Sequence, residues 1–393
     1  MTEERKGRDG MTDVSIVSCG SYDRAEVKSA LRQVLAPLGG LDWVREGMTV
    51  AVKANLVTAL RPDRAATTHP AMLAALTELL RERGARVVIG DSPGGVYNSI
   101  YVNRVYAADG LKEAEKAGAE LNRDFGETHA ENPDGKVLKE LTYTSWLDGA
   151  DAVIDFCKLK SHGMMGMSGA AKNMFGVIPG TMKPEYHFRF PDHEDFADML
   201  VDLDERFRPR LCLADAVVGM EGNGPTAGTP RKLGFVAASE SPHRLDQVCA
   251  GILGLEEDAV PTLRAAKRRG LIPQSAADLS VSGDPSAFAV KDFRLVAESR
   301  SLLFAGDGKS PFLRAFSAFA GKVLRTKPKV AKDECVGCGV CRNTCPAKAI
   351  TIEKGKAVID RSACIRCFCC QEFCPKGAMK VHRTALARLA GKI

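Results

Sequence analysis

A chain of 393 residues is longer than one ordinary hydrophobic core supports, so two or three folding units are expected. With 45% apolar, 26% charged and only 6% aromatic residues, the composition is that of a globular protein, and no apolar run approaches the roughly 20 residues that span a bilayer. The net charge of +6 is uneven: residues 326–393 carry 14 Lys and Arg against 5 Asp and Glu, which leaves −3 for everything before them. The aromatic interleaving of a single-strand binder is missing from the basic part, which speaks against nucleic acid as a partner.

Residues 1–12 are polar and charged and no apolar h-region follows, which suits a disordered lead-in and a cytoplasmic protein better than an export signal. Val14 to Val17 reads as a strand, Tyr22 to Leu35 as an amphipathic helix, and Met48 to Val52 as a second strand ending at Lys53-Ala54-Asn55-Leu56. Pro70 opens a strong helix with Met72, Leu73, Leu76, Leu79 and Leu80 on one face, and Gly84 stops it; His69 stands at its start. Val87 to Ile89 is a buried strand running into Gly90-Asp91-Ser92-Pro93-Gly94-Gly95. One helix is expected over 99–122, and 123–143 is too polar to assign.

Ala152 to Phe156 returns to strand character, with Lys158-Leu159-Lys160-Ser161-His162 just beyond it and a Gly/Met-rich loop over 163–169. Leu211 to Val218 is a further strand, followed by Gly219-Met220-Glu221-Gly222-Asn223-Gly224-Pro225; Gly234 to Ala238 reads as strand and Pro242 to Leu253 as helix. Such alternation predicts an α/β domain over 13–310 with a largely parallel sheet, ligands gathering at the carboxyl ends of its strands. Lys53-x-Asn55-Leu56, Lys158-x-Lys160-x-His162-Gly163, Ala171-Lys172-Asn173 and Glu221-Gly222-Asn223-Gly224-Pro225, in that order, resemble the family known as domain of unknown function 362. The likeness covers roughly residues 14–300. Where the family pattern leads one to expect an acid just before Pro242, this chain has Ser241, and Asp246 remains nearby. The resemblance implies a compact α/β domain coupled to iron–sulfur electron transfer and names no reaction.

Residues 311–328 carry an apolar stripe among Arg and Lys and predict a linker helix, docking between domains rather than lying on a membrane surface as a basic amphipathic helix. Beyond it, Cys335-x2-Cys338-x2-Cys341-x3-Cys345-Pro346 recurs 29 residues later as Cys364-x2-Cys367-x2-Cys370-x3-Cys374-Pro375. Structural zinc also favours Cys-x2-Cys pairs, but two four-cysteine runs duplicated in register and each ending in Cys-Pro favour iron–sulfur clusters. The run resembles the bacterial two-cluster ferredoxins, small α+β domains, and places one over 329–393. That resemblance implies two [4Fe-4S] clusters with crossed ligands: Cys335, Cys338, Cys341 and Cys374 on one, and Cys364, Cys367, Cys370 and Cys345 on the other. Cys369 is read as a packed thiol, with a tuning neighbour or an alternative ligand as the other readings. Bound cubes bring about −2 each, so the basic excess partly offsets them, and the remainder suits an acidic redox partner.

In the α/β domain, Lys53, Asn55, Asp91, Lys158, Asn173 and Asn223 are candidate ligand-binding residues, and Lys160, His162 and Lys172 candidate catalytic ones. Ammonium groups and loop amides beside glycine-rich turns suit a small anionic ligand, and His162 suits proton transfer near neutrality. No Gly-Lys-Ser/Thr follows Gly219 to Gly224, which removes support for ATP hydrolysis; a flavin leaves no obligatory short signature and stays open as an additional cofactor. The expectation is an oxidoreductase whose clusters feed an anionic substrate or further cofactor. The other reading is an electron carrier or assembly factor whose large domain binds a protein partner.

Overall fold

A computed structural model describes residues 12–295 and 327–382; the expected lead-in, nearly all of the expected linker helix and the chain beyond 382 lie outside the described residues. The first unit opens with β1 (Val14–Ser18) and α1 (Arg24–Leu35), whose N-terminus is capped by Asp23 Oδ1 accepting the Ala25 and Glu26 amides at 3.0 and 3.1 Å. Then β2 (Thr49–Ala54), α2 (Pro70–Arg81) and β3 (Arg86–Gly90) form a β-α-β unit with parallel strands. His69 does stand at the start of α2, its Nδ1 accepting the Ala71 amide at 3.2 Å, and Leu73, Leu76 and Leu80 are fully buried.

The helix expected over 99–122 is broken into α3 (Ser99–Ala108) and α4 (Lys112–Lys116), followed by β4 (Glu120–Leu121). Gly110, at φ +77, supplies the left-handed residue that ends α3. The unassigned stretch holds a hairpin, β5 (Glu127–Glu131) with β6 (Glu140–Thr144). Next come β7 (Ala152–His162), β8 (Gly166–Ser168), α5 (Ala170–Asn173), α6 (Lys183–Arg189) and α7 (His193–Phe207). The unit closes with β9 (Leu211–Glu221), β10 (Thr229–Ser239), α8 (Pro242–Ile252), α9 (Pro261–Arg268) and β11 (Val281–Ser282).

The strands lie in the order β11-β1-β10-β9-β7-β2-β3-β4, parallel from β9 to β4 and antiparallel at β9/β10 and β10/β1, with β8 folded back on β7. Alternate residues of each strand feed opposite faces. Val50, Val52, Ile154 and Leu213 meet α1 and α2, whereas Ala51 lies in the core of α7, and Cys157 and Ala214 in that of α8 and α9.

The second unit comprises β12 (Lys327–Val330), α10 (Val340–Asn343), β13 (Ile350–Glu353), β14 (Lys356–Ile359), α11 (Cys369–Glu372) and β15 (Met379–His382), with β12 on β15 and β13 on β14. Its first strand begins two residues before the expected boundary. The unit is docked on the α/β domain. Phe368, 1% exposed, sits in the same apolar cluster as Phe175 and Phe196, and Val381 packs against it.

Candidate functional site

Lys158, Lys160 and His162 stand on β7 itself, not in a loop beyond it. The strand continues because Lys160 and His162 pair with Ser168 and Gly166 of β8, while Lys160 also faces Met220 of β9. All three side chains are buried, an expensive placement that demands partners. Lys158 Nζ donates to Tyr22 Oη at 2.7 Å and pairs with Asp215 at 2.9 Å, so it braces β7 against β9.

Lys160 Nζ donates to Asn55 Oδ1 at 2.8 Å and to the Ala66 carbonyl at 2.5 Å. Burial pushes its ammonium down, with repulsion from Lys172 adding to the effect, to a pKa of about 7. Asn55 Nδ2 in turn donates to Asn173 Oδ1 at 2.8 Å. Lys53 Nζ reaches the same Asn173 oxygen at 3.1 Å and pairs with Asp91 Oδ1 at 2.9 Å, while Asp91 Oδ2 accepts the Leu56 amide at 2.6 Å. Asn173 Nδ2 donates to Asp155 Oδ1 at 2.5 Å. The carboxyl ends of β2, β3 and β7 are thus tied into one network through Asn55 and Asn173.

Asp246 holds α5 in place: its two oxygens accept the Ala170 and Ala171 amides at 2.7 and 3.1 Å. Gly169 leaves room for this carboxylate; a Cβ there meets Asp246. The neighbouring Met164, Met165 and Met167 are core residues. Lys172, projecting from α5, has no ion-pair or hydrogen-bond partner among the described residues; its Nζ lies 4.8 Å from the centre of the Phe175 ring. Burial lowers its pKa and Glu372 partly offsets that.

Asn55, Asp91, Lys160, His162, Lys172 and Asn173 line a cleft that also takes in Ser92, Gly94, Ser168, Phe175, Lys183, Glu372 and Phe373. Lys183 was not legible in the sequence, where nothing around it is periodic. Its Nζ donates to the Ser92 carbonyl and lies 5.7 Å from the Phe175 ring centre; burial, opposed by Asp91, brings its pKa to about 8.

Glu372 and Phe373 come from the second unit. Phe373 closes on Gly94, where any Cβ collides with the ring. His162 Nδ1 accepts the Met164 and Met165 amides at 3.1 and 3.2 Å, so the ring proton of the neutral imidazole belongs on Nε2. Nε2 lies 2.9 Å from Glu372 Oε1, within ion-pair distance though off the hydrogen-bonding direction. Burial holds the His162 pKa below its usual value, Glu372 opposing. Asn223 is not part of the cleft. Its Nδ2 donates to the Met379 carbonyl at 3.2 Å and its Oδ1 accepts the Val381 amide at 3.1 Å, which makes it a clamp between the two units.

Around the cysteines, Cys335, Cys338, Cys341 and Cys374 line one cavity, and Cys345, Cys364, Cys367 and Cys370 line another. The Ala349 and Ala378 amides donate to Cys345 and Cys374 sulfur at 3.3 and 3.2 Å, the kind of contact a cluster thiolate uses. Cys369 lines the second cavity as well and is 1% exposed. The thiol-rich donor set therefore fits iron–sulfur cubes.

An α/β domain of this topology with a docked thiolate module is an iron–sulfur protein, and comparison with known proteins agrees. A 4Fe-4S dicluster domain matches residues 327–375, and the family described as domain of unknown function (DUF362) matches residues 50–251. The chain belongs to the DUF362 family. It is 34% identical over 285 residues, 72% of this chain and 87% of the relative, to the thylakoid-associated protein sll1697 of Synechocystis sp.. Among solved structures, the lactate racemase apoprotein from Thermoanaerobacterium thermosaccharolyticum aligns at 14% identity and TM-score 0.37, over 62% of this chain and 57% of that one. No helix among the described residues is long and apolar enough to cross a membrane.

Proposed function

We propose that the protein is a cytoplasmic oxidoreductase in which two [4Fe-4S] clusters pass electrons to an anionic substrate, or to a further cofactor such as a flavin, held in the lysine cleft. The observation that carries this reading is covalent: Glu372 and Phe373, walls of the cleft, stand between the cluster cysteines Cys370 and Cys374. Bound clusters supply one-electron transfer; the chain's own residues bind, orient and exclude water. Cys335, Cys338, Cys341 and Cys374 hold the outer cluster, since Cys338 is exposed and Val336 beside it is 59% exposed. Cys345, Cys364, Cys367 and Cys370 hold the inner one, whose cavity shares the buried Phe368 and Cys369 with the α/β interface. A redox partner protein, acidic to suit the basic module, delivers electrons at the outer cluster.

Within the cleft Lys160 and Lys172 clamp the anionic group, and His162 offers its Nε2–H as a hydrogen-bond donor. Mass spectrometry of anaerobically purified, denatured protein identifies the retained compound. Reduced clusters are expected to be reoxidised by that compound in the wild type and not in Lys172→Ala, with iron content unchanged. Reoxidation indifferent to Lys172 would instead favour an electron carrier or assembly factor whose large domain binds a protein partner.

A further inference from the structure

Charge in the cleft does not balance. Lys53 and Asp91 form an internal pair at 2.9 Å, and the His162 ring is neutral with its Nδ1 committed to two amides. That leaves the ammonium groups of Lys160, Lys172 and Lys183 facing one carboxylate, Glu372. With all three protonated, two positive charges would stand uncompensated in a largely enclosed place where an unpaired ion is costly, and the lowered pKa values of Lys160 and Lys183 are the consequence. The donors are also unspent. Lys160 Nζ uses two of its three protons, Lys172 Nζ none among the described residues, and the buried Ser92 hydroxyl has no partner.

Resting on the reading of this cleft as an anion site, we propose that its ligand is a small molecule bearing a dianion, a phosphate monoester or a dicarboxylate, with Lys160, Lys172 and Lys183 as its charge partners. Glu372 repels any larger negative charge, and a monoanion leaves one ammonium unmatched. The apolar walls, Phe175 and Phe373, suit a compact carbon skeleton between the charged ends. Because Lys160 and Lys183 hold pKa values of about 7 and 8 in the empty cleft, a dianion must recharge them on binding. Affinity for a ligand already doubly charged therefore falls as pH rises from 7 to 9, by up to about tenfold per unit for each lysine that takes up a proton.

The test is calorimetric titration of the anaerobic, cluster-loaded full chain with inorganic phosphate, malonate and acetate at matched ionic strength. Phosphate, malonate or both are expected to bind at a single site, and acetate at least about tenfold more weakly, since one charge-assisted contact is lost. Binding of phosphate without malonate selects the phosphate ester, and the reverse the dicarboxylate. Lys172→Ala and Lys183→Gln should each weaken the bound dianion about tenfold with iron content unchanged. Acetate binding as tightly as malonate, in a Lys172-dependent way, would overturn the dianion while leaving an anion cleft standing. If no anion binds the wild type and Lys172→Ala merely shifts the cluster spectrum, the lysines neutralise cluster charge, and both the dianion and the ligand-cleft reading fall.

Discussion

At the scale of single residues, the site is built from polar groups that are fully used on one side and open on the other. Asn173 accepts from Lys53 and Asn55 and donates to Asp155, so it is a knot in the scaffold that also lines the cleft. Asp155 beneath it is wholly buried, and burial, partly offset by Lys53, pushes its pKa up to about 8. Between the ordinary carboxylate range and about 8 the folded state holds a proton that the unfolded chain has released, so this group makes stability fall as pH rises through that window. Asp155→Asn keeps an oxygen for Asn173 and removes the titration. Its unfolding midpoint should vary less with pH between 5 and 8 than that of the wild type, and an unchanged slope would show that Asp155 is ionised in the native protein. His162→Ala, by contrast, is not a clean probe of proton transfer. It strips the acceptor from two buried amides, at about 1–3 kcal/mol each.

At the scale of elements, the decisive unit is the four-residue helix α5, too short to hold itself and anchored by Asp246 of the neighbouring helix α8. Asp246→Ala should cost about 2–4 kcal/mol, two buried amides losing their acceptor, and should weaken anion binding because Lys172 is no longer positioned; Asp246→Asn should recover about half of the loss. Denaturant midpoints of the three proteins check this, and equal midpoints would remove Asp246 from the architecture. The parallel strands and the convergence of Lys53, Asn55, Asp91, Lys160, His162, Lys172 and Asn173 were legible, since apolar runs ending in polar residues report strand ends. The reach of β7 was not, because lysines look like loop until β8 and β9 are seen to pair with them. Nor was the role of Lys158, which depends on Tyr22 and Asp215, far away in sequence.

At the scale of the whole molecule, the cysteine-rich unit is tied to the α/β domain by polar contacts as well as by Phe368. Gln371 Nε2 donates to the Asn223 and Gly224 carbonyls at 2.9 Å each, and Thr226 Oγ1 to the Glu372 carbonyl at 3.1 Å. The duplication carried a signal for this. Against Arg342-Asn343-Thr344 in the first repeat the second has Gln371-Glu372-Phe373, and against Gly339 it has Phe368. Gly339 adopts φ +79 without cost, whereas Phe368 at φ +61 carries a strain of roughly 1–2 kcal/mol. Burial of its ring outweighs that, since removing a buried Phe costs about 3–5 kcal/mol. Phe368→Gly should therefore loosen docking despite the relaxed backbone, seen as faster amide exchange over 369–382; unchanged exchange would mean that the polar clamp suffices alone. In the module itself, Cys345→Ser should lower iron from about eight to about four per chain and remove the cluster of Cys364, Cys367 and Cys370. Loss of the other cluster would refute the crossed assignment, and Cys369→Ser should leave iron unchanged.

The central claim is that cleft and inner cluster form one working site. It is tested most directly by redox titration of the two clusters, followed by electron paramagnetic resonance, with and without saturating malonate or phosphate. An anion placed beside the inner cluster disfavours adding an electron there. The account predicts that the potential of the cluster held by Cys345, Cys364, Cys367 and Cys370 falls, that the outer one barely moves, and that Lys172→Ala abolishes the shift. Equal shifts in both clusters, or a shift that survives Lys172→Ala, would contradict it.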